Sequence, residues 1–202
     1  MLTLLLPVIR PWTRTAVCDA IAASDIPREK CIVILDAPDC ESWLLTLWSL
    51  GFDVHSYVRH NPYPPEGRVE RRDRHRAMVK YSQSLVPDGP LLCLEDDVLV
   101  PPDIYARLTT LAPTNMTGVQ VARHENRNPV VYPLRHTYST GFETVDGAGL
   151  GCLMTTGEEY RHALLGDGPG PVDYELTSQL EELIIDWDCI CGHLTPDGVL
   201  LP

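Results

Sequence analysis

Leu91-Leu92-Cys93-Leu94-Glu95-Asp96-Asp97-Val98-Leu99-Val100-Pro101-Pro102 is the stretch on which the reading of this chain turns. Four apolar residues run into three carboxylates, apolar residues resume, and two prolines end the run. So short an apolar run reads as a strand buried on both faces, as in parallel sheets. Three adjacent acids at its carboxyl end cost free energy unless a positive group neutralises them. A hard divalent cation does this, keeping some waters and bridging substrate phosphates. The other reading is a strand followed by a solvated acidic turn, and the triplet alone leaves both open.

On the amino-terminal side, Leu2 to Leu6 forms a candidate buried strand, and Val17, Ala20 and Ile21 predict a helix from about Thr13 to Ala23. Cys31 to Leu35 predicts a second strand that stops at Asp36. Pro38 to Leu50 predicts a helix with Leu44, Leu47 and Trp48 on one face and Gly51 at its end, and Phe52 to Val58 a third strand. This alternation predicts an α/β fold, a mainly parallel central sheet with helices on both faces. Asn61 to Gly67 reads as a surface loop, followed by a basic helix from about Val69 to Leu85 with Met78, Tyr81 and Leu85 inward.

On the carboxyl side, a helix is expected from Asp103 with Ile104, Leu108 and Leu111 inward, then a strand over Gly118 to Ala122. Arg123 to Arg135 is polar and irregular. Asp146-Gly147-Ala148-Gly149-Leu150-Gly151 is glycine-rich, so its backbone can pass close to a ligand or another segment; its spacing is not a dinucleotide fingerprint. Thr156-Gly157-Glu158-Glu159 is a capping box for a helix to about Leu165. Leu176, Leu180, Leu183 and Ile184 predict an amphipathic helix beginning near Asp173, and Asp186 to Gly192 a last short strand ending at His193.

At 202 residues and 44% hydrophobic content, the chain suits one globular domain, 1–202. No apolar run approaches a membrane span, and Met1 to Pro7 reads as a strand because it lacks a basic leader. Seven cysteines scattered through predicted elements read as free buried thiols in a reducing cytoplasm. A net charge of −12 argues against a general nucleic-acid binder. Its distribution is uneven: residues 59 to 80 carry seven bases against three acids, whereas Ala163 to the end carries eight acids and no Lys or Arg. A basic segment facing carboxylates suits a metal with an anionic substrate; solvated helix faces produce the same pattern.

In this order the pieces resemble a GT-A-type glycosyltransferase related to family 2, in a compact single-domain form. Leu4-Leu5-Leu6-Pro7 resembles the opening strand with its proline, and Ile32 to Asp36 the second strand, whose terminal acid contacts the nucleotide base. Leu92 to Asp97 resembles the DXD-type motif, and Gly147 to Cys152 the glycine-rich strand beside the donor sugar. Val172-Asp173-Tyr174-Glu175-Leu176 resembles the late acidic motif that supplies the base, with one acid where the family usually has two. Asp188 to His193 resembles the closing strand with its metal-binding histidine.

The resemblance implies a nucleotide-binding half over 1–100 and an acceptor and catalytic half over 101–202. It implies Asp97 and His193 as ligands of Mn2+ or Mg2+. It places Pro7, Asp36, Glu95, Asp96 and Gly149 around a UDP-linked sugar donor, with Arg71, Arg74 or Arg76 on the diphosphate, and makes Asp173 the catalytic base of an inverting transfer. Each residue has a plainer reading: Asp173 as a helix cap, His193 as a surface histidine, Asp36 as a turn residue, the arginines as a solvated face. Cys189-x-Cys191-x-His193 offers a zinc set with no second pair to complete it. The acceptor is expected to be a carbohydrate or small molecule, ahead of a hydroxymethylated base in phage DNA. The alternatives are a metal-dependent nucleotidyltransferase or phosphohydrolase, and a non-catalytic nucleotide-sugar binding protein.

Overall fold

The computed structural model describes residues 1–59, 68–112, 115–120, 128–133, 137–167 and 170–200, without the side chains at 68–72 and 200. The expected loop from Asn61 to Gly67 and the first part of the polar segment, Arg123 to Arg127, lie outside the described residues. The elements are β1 (Thr3–Val8), α1 (Arg14–Ala23), β2 (Lys30–Leu35), α2 (Ser42–Ser49), β3 (Asp53–Val58), α3 (Arg68–Gln83), β4 (Pro90–Leu94), β5 (Val98–Leu99) and α4 (Ile104–Leu108). Then follow β6 (Asn115–Gln120), β7 (Val131–Tyr132), β8 (Phe142–Thr144), β9 (Gly147–Ala148), β10 (Cys152–Thr156), α5 (Gly157–His162), α6 (Val172–Thr177), β11 (Leu183–Thr195) and β12 (Gly198–Leu200).

The main sheet runs β12-β11-β6-β10-β4-β1-β2-β3, with β5 and β8 paired to β11. Its amino-terminal part is parallel: β1 lies between β2 and β4, and β3 continues beyond β2. Beyond β4 the sheet is mixed. β10 is antiparallel to both β4 and β6, while β11 is parallel to β6 and antiparallel to β5, β8 and β12. The expectation of a mainly parallel sheet therefore holds only for the first half. A strand buried on both faces is apolar in either direction, so such runs carry no record of polarity.

Period-2 alternation divides the core. Leu4, Leu6, Val8, Cys31, Val33, Leu35, Leu92 and Leu94 face α1 and α2, meeting Val17, Ile21, Trp43 and Leu47. Leu5, Ile32, Ile34, Leu91 and Cys93 face the other way, against Met78, Val79, Tyr160 and Leu176 from α3, α5 and α6. Helices thus cover both faces, as expected. All seven cysteines are free and buried. Burial pushes the Cys18 and Cys40 thiols up to about 11.

β4 ends at Leu94, so the acids stand at its carboxyl end as expected; the triplet turns, with Val98 N–H donating to Glu95 O at 3.2 Å, and β5 follows. Three local expectations are corrected. Leu111, expected inward, lies beyond the end of α4 at Leu108 and is exposed. The late helix stops at Thr177, and Leu183 and Ile184 belong to β11. Their spacing fits a helix, but Glu182 takes a left-handed φ of 48°, which ends any helical path. On α2, Trp43 and Leu47 are buried, while Trp48, one position further round, is 72% exposed. Leu47→Ala is therefore expected to cost about 2–5 kcal/mol in urea denaturation, and Trp48→Ala within about 0.5 kcal/mol.

Candidate active site

Because β1, β2 and β4 run in the same direction, the residues that follow them share one edge of the sheet. Ile9 and Arg10 follow β1, Asp36 follows β2, and Glu95-Asp96-Asp97 follow β4. A cavity of about 510 Å3 opens there. Pro7, Ile9, Arg10, Glu95 and Asp96 form its floor, α3 supplies Arg74, His75 and Met78, α6 supplies Asp173, and β11 supplies His193. Ligand sites in open α/β sheets collect at such strand ends.

Asp96 is almost wholly buried. Its Oδ2 accepts the main-chain N–H groups of Ile9 and Arg10, both at 2.6 Å, and Oδ1 accepts from Arg10 Nη1. Arg10 Nη2 also stands 3.4 Å from Asp97 Oδ2. Asp97 is fully buried behind the cavity wall, and the same oxygen faces His193 Nε2 at 3.2 Å. That meeting depends on β5: Val98 pairs with His193 and Leu99 with Gly192, while Leu194 N–H donates to Asp97 O at 2.7 Å. Residues nearly a hundred positions apart are thereby locked together by a two-residue strand.

Among the described residues, no group of three or more His, Cys, Asp or Glu side chains is arranged to hold a metal ion. The Asp97–His193 pair still fits a divalent ion that takes its remaining ligands from water and phosphate. In this structure the two side chains contact each other directly, Nε2 to Oδ2 at 3.2 Å, and an imidazole and a carboxylate are donor types that would suit such an ion. Cys189 and Cys191 do not join His193. Their thiols lie buried in the core, where Cys191 adjoins Cys152 and Cys189.

Asp173 lines the cavity opposite the triplet. It does not cap α6, whose N-cap is Pro171, with no side-chain cap bond. His75 stands between the two acidic groups, with Nδ1 3.5 Å from Asp173 Oδ1 and Nε2 3.7 Å from Glu95 Oε1. The first turn of α6 is pinned from three sides. Thr177 Oγ1 lies 3.0 Å from both Ala148 N and Ala148 O and 2.7 Å from Asp173 O. Tyr174 packs over Gly147, where a Cβ would meet its ring carbon at 2.7 Å, and its ring lies 4.6 Å from that of Tyr132. Arg76 on α3 grips Glu175 through both carboxylate oxygens and also donates to Gly166 O and Gly170 O.

The expected residues therefore divide. Pro7, Glu95, Asp96, Asp173 and His193 line one cavity, with Asp97 directly behind. Asp36 lies beside it with its carboxylate buried, accepting from Arg59 at 3.1 Å and Arg74 at 2.6 Å. Arg76 points away from the cavity to Glu175, and Gly149 packs against Gln120 and Val130, its N–H on Val130 O. The side chain of Arg71 lies outside the described residues. Two polar lining residues escaped the sequence reading, Arg10 and His75. Arg10 had a usable signal, as the first charged residue past the first strand. His75 had none, since a histidine within a run of arginines looks like part of a solvated face.

No protein-family profile matches this chain, and no curated protein matches it in sequence. Solved structures do match its fold. TarS of S. aureus superposes with a TM-score of 0.58 at 8% identity, over 98% of this chain and 36% of TarS. The mannosyltransferase PcManGT of Pyrobaculum calidifontis, in complex with GDP-Man and Mn2+, gives 0.53 at 10% identity, over 92% of this chain and 56% of the enzyme. A nucleoside-diphosphate-sugar pyrophosphorylase from Vibrio cholerae RC9 gives 0.51 at 13% identity, over 100% and 95%. The chain spans well under two thirds of both transferases. It has the α/β fold of the GT-A-type glycosyltransferases.

The Arg76 hydrogen bond holds the Glu175 carboxyl below its ordinary value. A carboxylate with a lowered folded pKa stabilises the protein above its unfolded pKa of about 4.3, and that contribution is lost as pH falls through the folded value. Glu175→Gln is expected to lose about 2 kcal/mol at pH 7 and to show a shallower loss of stability on acidification below about pH 5, read by urea denaturation at each pH.

Proposed function

We propose that this protein is a metal-dependent, inverting glycosyltransferase that moves a sugar from a nucleoside-diphosphate donor, UDP-linked by our reading, to an acceptor hydroxyl. The observation that carries the proposal is the cavity in which Asp173 shares the lining with Glu95, Asp96 and His193 at an open strand end, with Asp97 directly behind. The fold is shared with a mannosyltransferase whose complex holds GDP-Man and Mn2+, which supports a nucleotide-sugar donor and a divalent ion.

Asp97 and His193 would hold that ion. Its chemistry, when bound, is to neutralise the charge that develops on the diphosphate as the glycosidic bond breaks. Arg74 is the arginine of α3 that lines the cavity, and Asp36 holds its guanidinium in place; we assign it to the donor phosphates. Asp36 then serves the nucleotide through Arg59 and Arg74. Glu95, partly exposed at the cavity floor, is placed to accept a hydrogen bond from a sugar hydroxyl. Asp173 takes the proton of the acceptor hydroxyl as that oxygen bonds to the anomeric carbon from the face opposite the leaving diphosphate. His75 holds Asp173 toward the cavity. Residues 1–100 then carry the donor and 101–202 the base. The net charge of −12 favours a carbohydrate or small acceptor over a DNA base.

A second reading is favoured by the pyrophosphorylase fold match: nucleotidyl transfer at the same carboxylates. Products separate the two, since glycosyl transfer releases nucleoside diphosphate and nucleotidyl transfer consumes or releases pyrophosphate. Asp173→Asn is expected to lower transfer, or slow donor hydrolysis, by about 10²–10⁴-fold with donor affinity retained in calorimetry. Loss of donor binding in that variant would make Asp173 structural. Asp97→Asn is expected to abolish the Mn2+ dependence of UDP binding, and unchanged metal-dependent binding would remove the ion from this site.

A further inference from the structure

We propose that Arg10 is a binding residue for the donor diphosphate and that it shares Asp97 with the divalent ion, an inference that rests on the donor reading above. Asp96 is 1% exposed, and its carboxylate already accepts three hydrogen bonds: from the N–H groups of Ile9 and Arg10, and from Arg10 Nη1. An oxygen pair so engaged has little left for an incoming ion or sugar. Its work is to fix the loop after β1 and to hold the guanidinium at the cavity floor.

The guanidinium itself is not buried. The Arg10 side chain is 26% exposed and lines the cavity, while Nη2 lies 3.4 Å from Asp97 Oδ2. That oxygen is the one facing His193 Nε2 at 3.2 Å. The guanidinium therefore adjoins the carboxylate oxygen that, on the reading above, would hold the divalent ion. Without a substrate the two charges repel, and Arg10 weakens the ion's hold on Asp97. A bound diphosphate would reverse the sign, because its negative charge would attract the guanidinium and the ion together. Since Asp96 holds Arg10 rigid beforehand, little side-chain entropy is lost when the anion arrives. The arrangement makes the ion and the nucleotide bind cooperatively.

The test is a pair of titrations on the full chain, with Mn2+ alone and with UDP in excess Mn2+, for wild type, Arg10→Gln and Arg10→Lys. Circular dichroism melts accompany each variant. Arg10→Gln is expected to bind Mn2+ alone severalfold more tightly and UDP about tenfold more weakly, with uridine affinity unchanged. Arg10→Lys is expected to recover most of the UDP affinity. A purely structural role would weaken Mn2+ and UDP together, and that result overturns the proposal. Equal UDP affinity in wild type and Arg10→Gln overturns it as well. Failure of the wild type itself to bind UDP in Mn2+ overturns the donor reading, and the inference with it, before any variant is compared.

Discussion

Carboxylates at the end of a buried strand must be neutralised, and the way this chain meets that demand organises its functional edge. Asp96 is neutralised by main-chain N–H groups and by Arg10, which ties the end of β1 to the end of β4. Asp97 meets His193 and the far side of the same guanidinium, which ties β4 to β11. Breaking a buried pair by removing one partner is strongly destabilising, so these contacts hold the strand ends in register as well as the charges. Asp36 follows the same rule at the end of β2, with Arg59 and Arg74 as its cations. Two strand ends thus carry three buried acids, and each acid is answered by a cation or a histidine from elsewhere in the chain.

The opposite wall of the cavity is built on different physics. A helix of only six residues has little stability of its own, so α6 must be held by its neighbours. Val172 and Leu176 bury one face, Arg76 clamps Glu175, and Thr177 bonds both polar groups of Ala148. Gly147 supplies the close approach: any side chain there would strike Tyr174. The glycine-rich segment expected beside a donor sugar therefore has at least one identifiable use, as the seat of the helix that carries Asp173.

Much of the fold was legible. The strands β1 to β4, the helices α1 and α3, and the capping box, in which Thr156 accepts from Glu159 N–H at 3.2 Å, lie where periodicity and end signals place them. The misreadings share a cause. Leu176, Leu180 and Ile184 recur at a helical interval, yet a left-handed residue and a change of partner divide them between a helix and a strand. Trp48 is apolar but faces outward, because α2 needs only Trp43 and Leu47 to cover the sheet. Apolar character records a preference for burial and leaves the choice of partner to the assembled structure.

By itself the amino-acid sequence determined the layered α/β architecture and which carboxylates stand at strand ends, because both follow from local hydrophobic pattern and strand length. Only the tertiary structure decided that Asp97 meets His193, that Asp96 serves Arg10, and that Arg74 enters the cavity while Arg76 leaves it. Those outcomes depend on strand order, direction and register across the sheet. Pairing between distant strands is set by how whole faces pack and how buried charges find partners, and no local window of sequence contains that information.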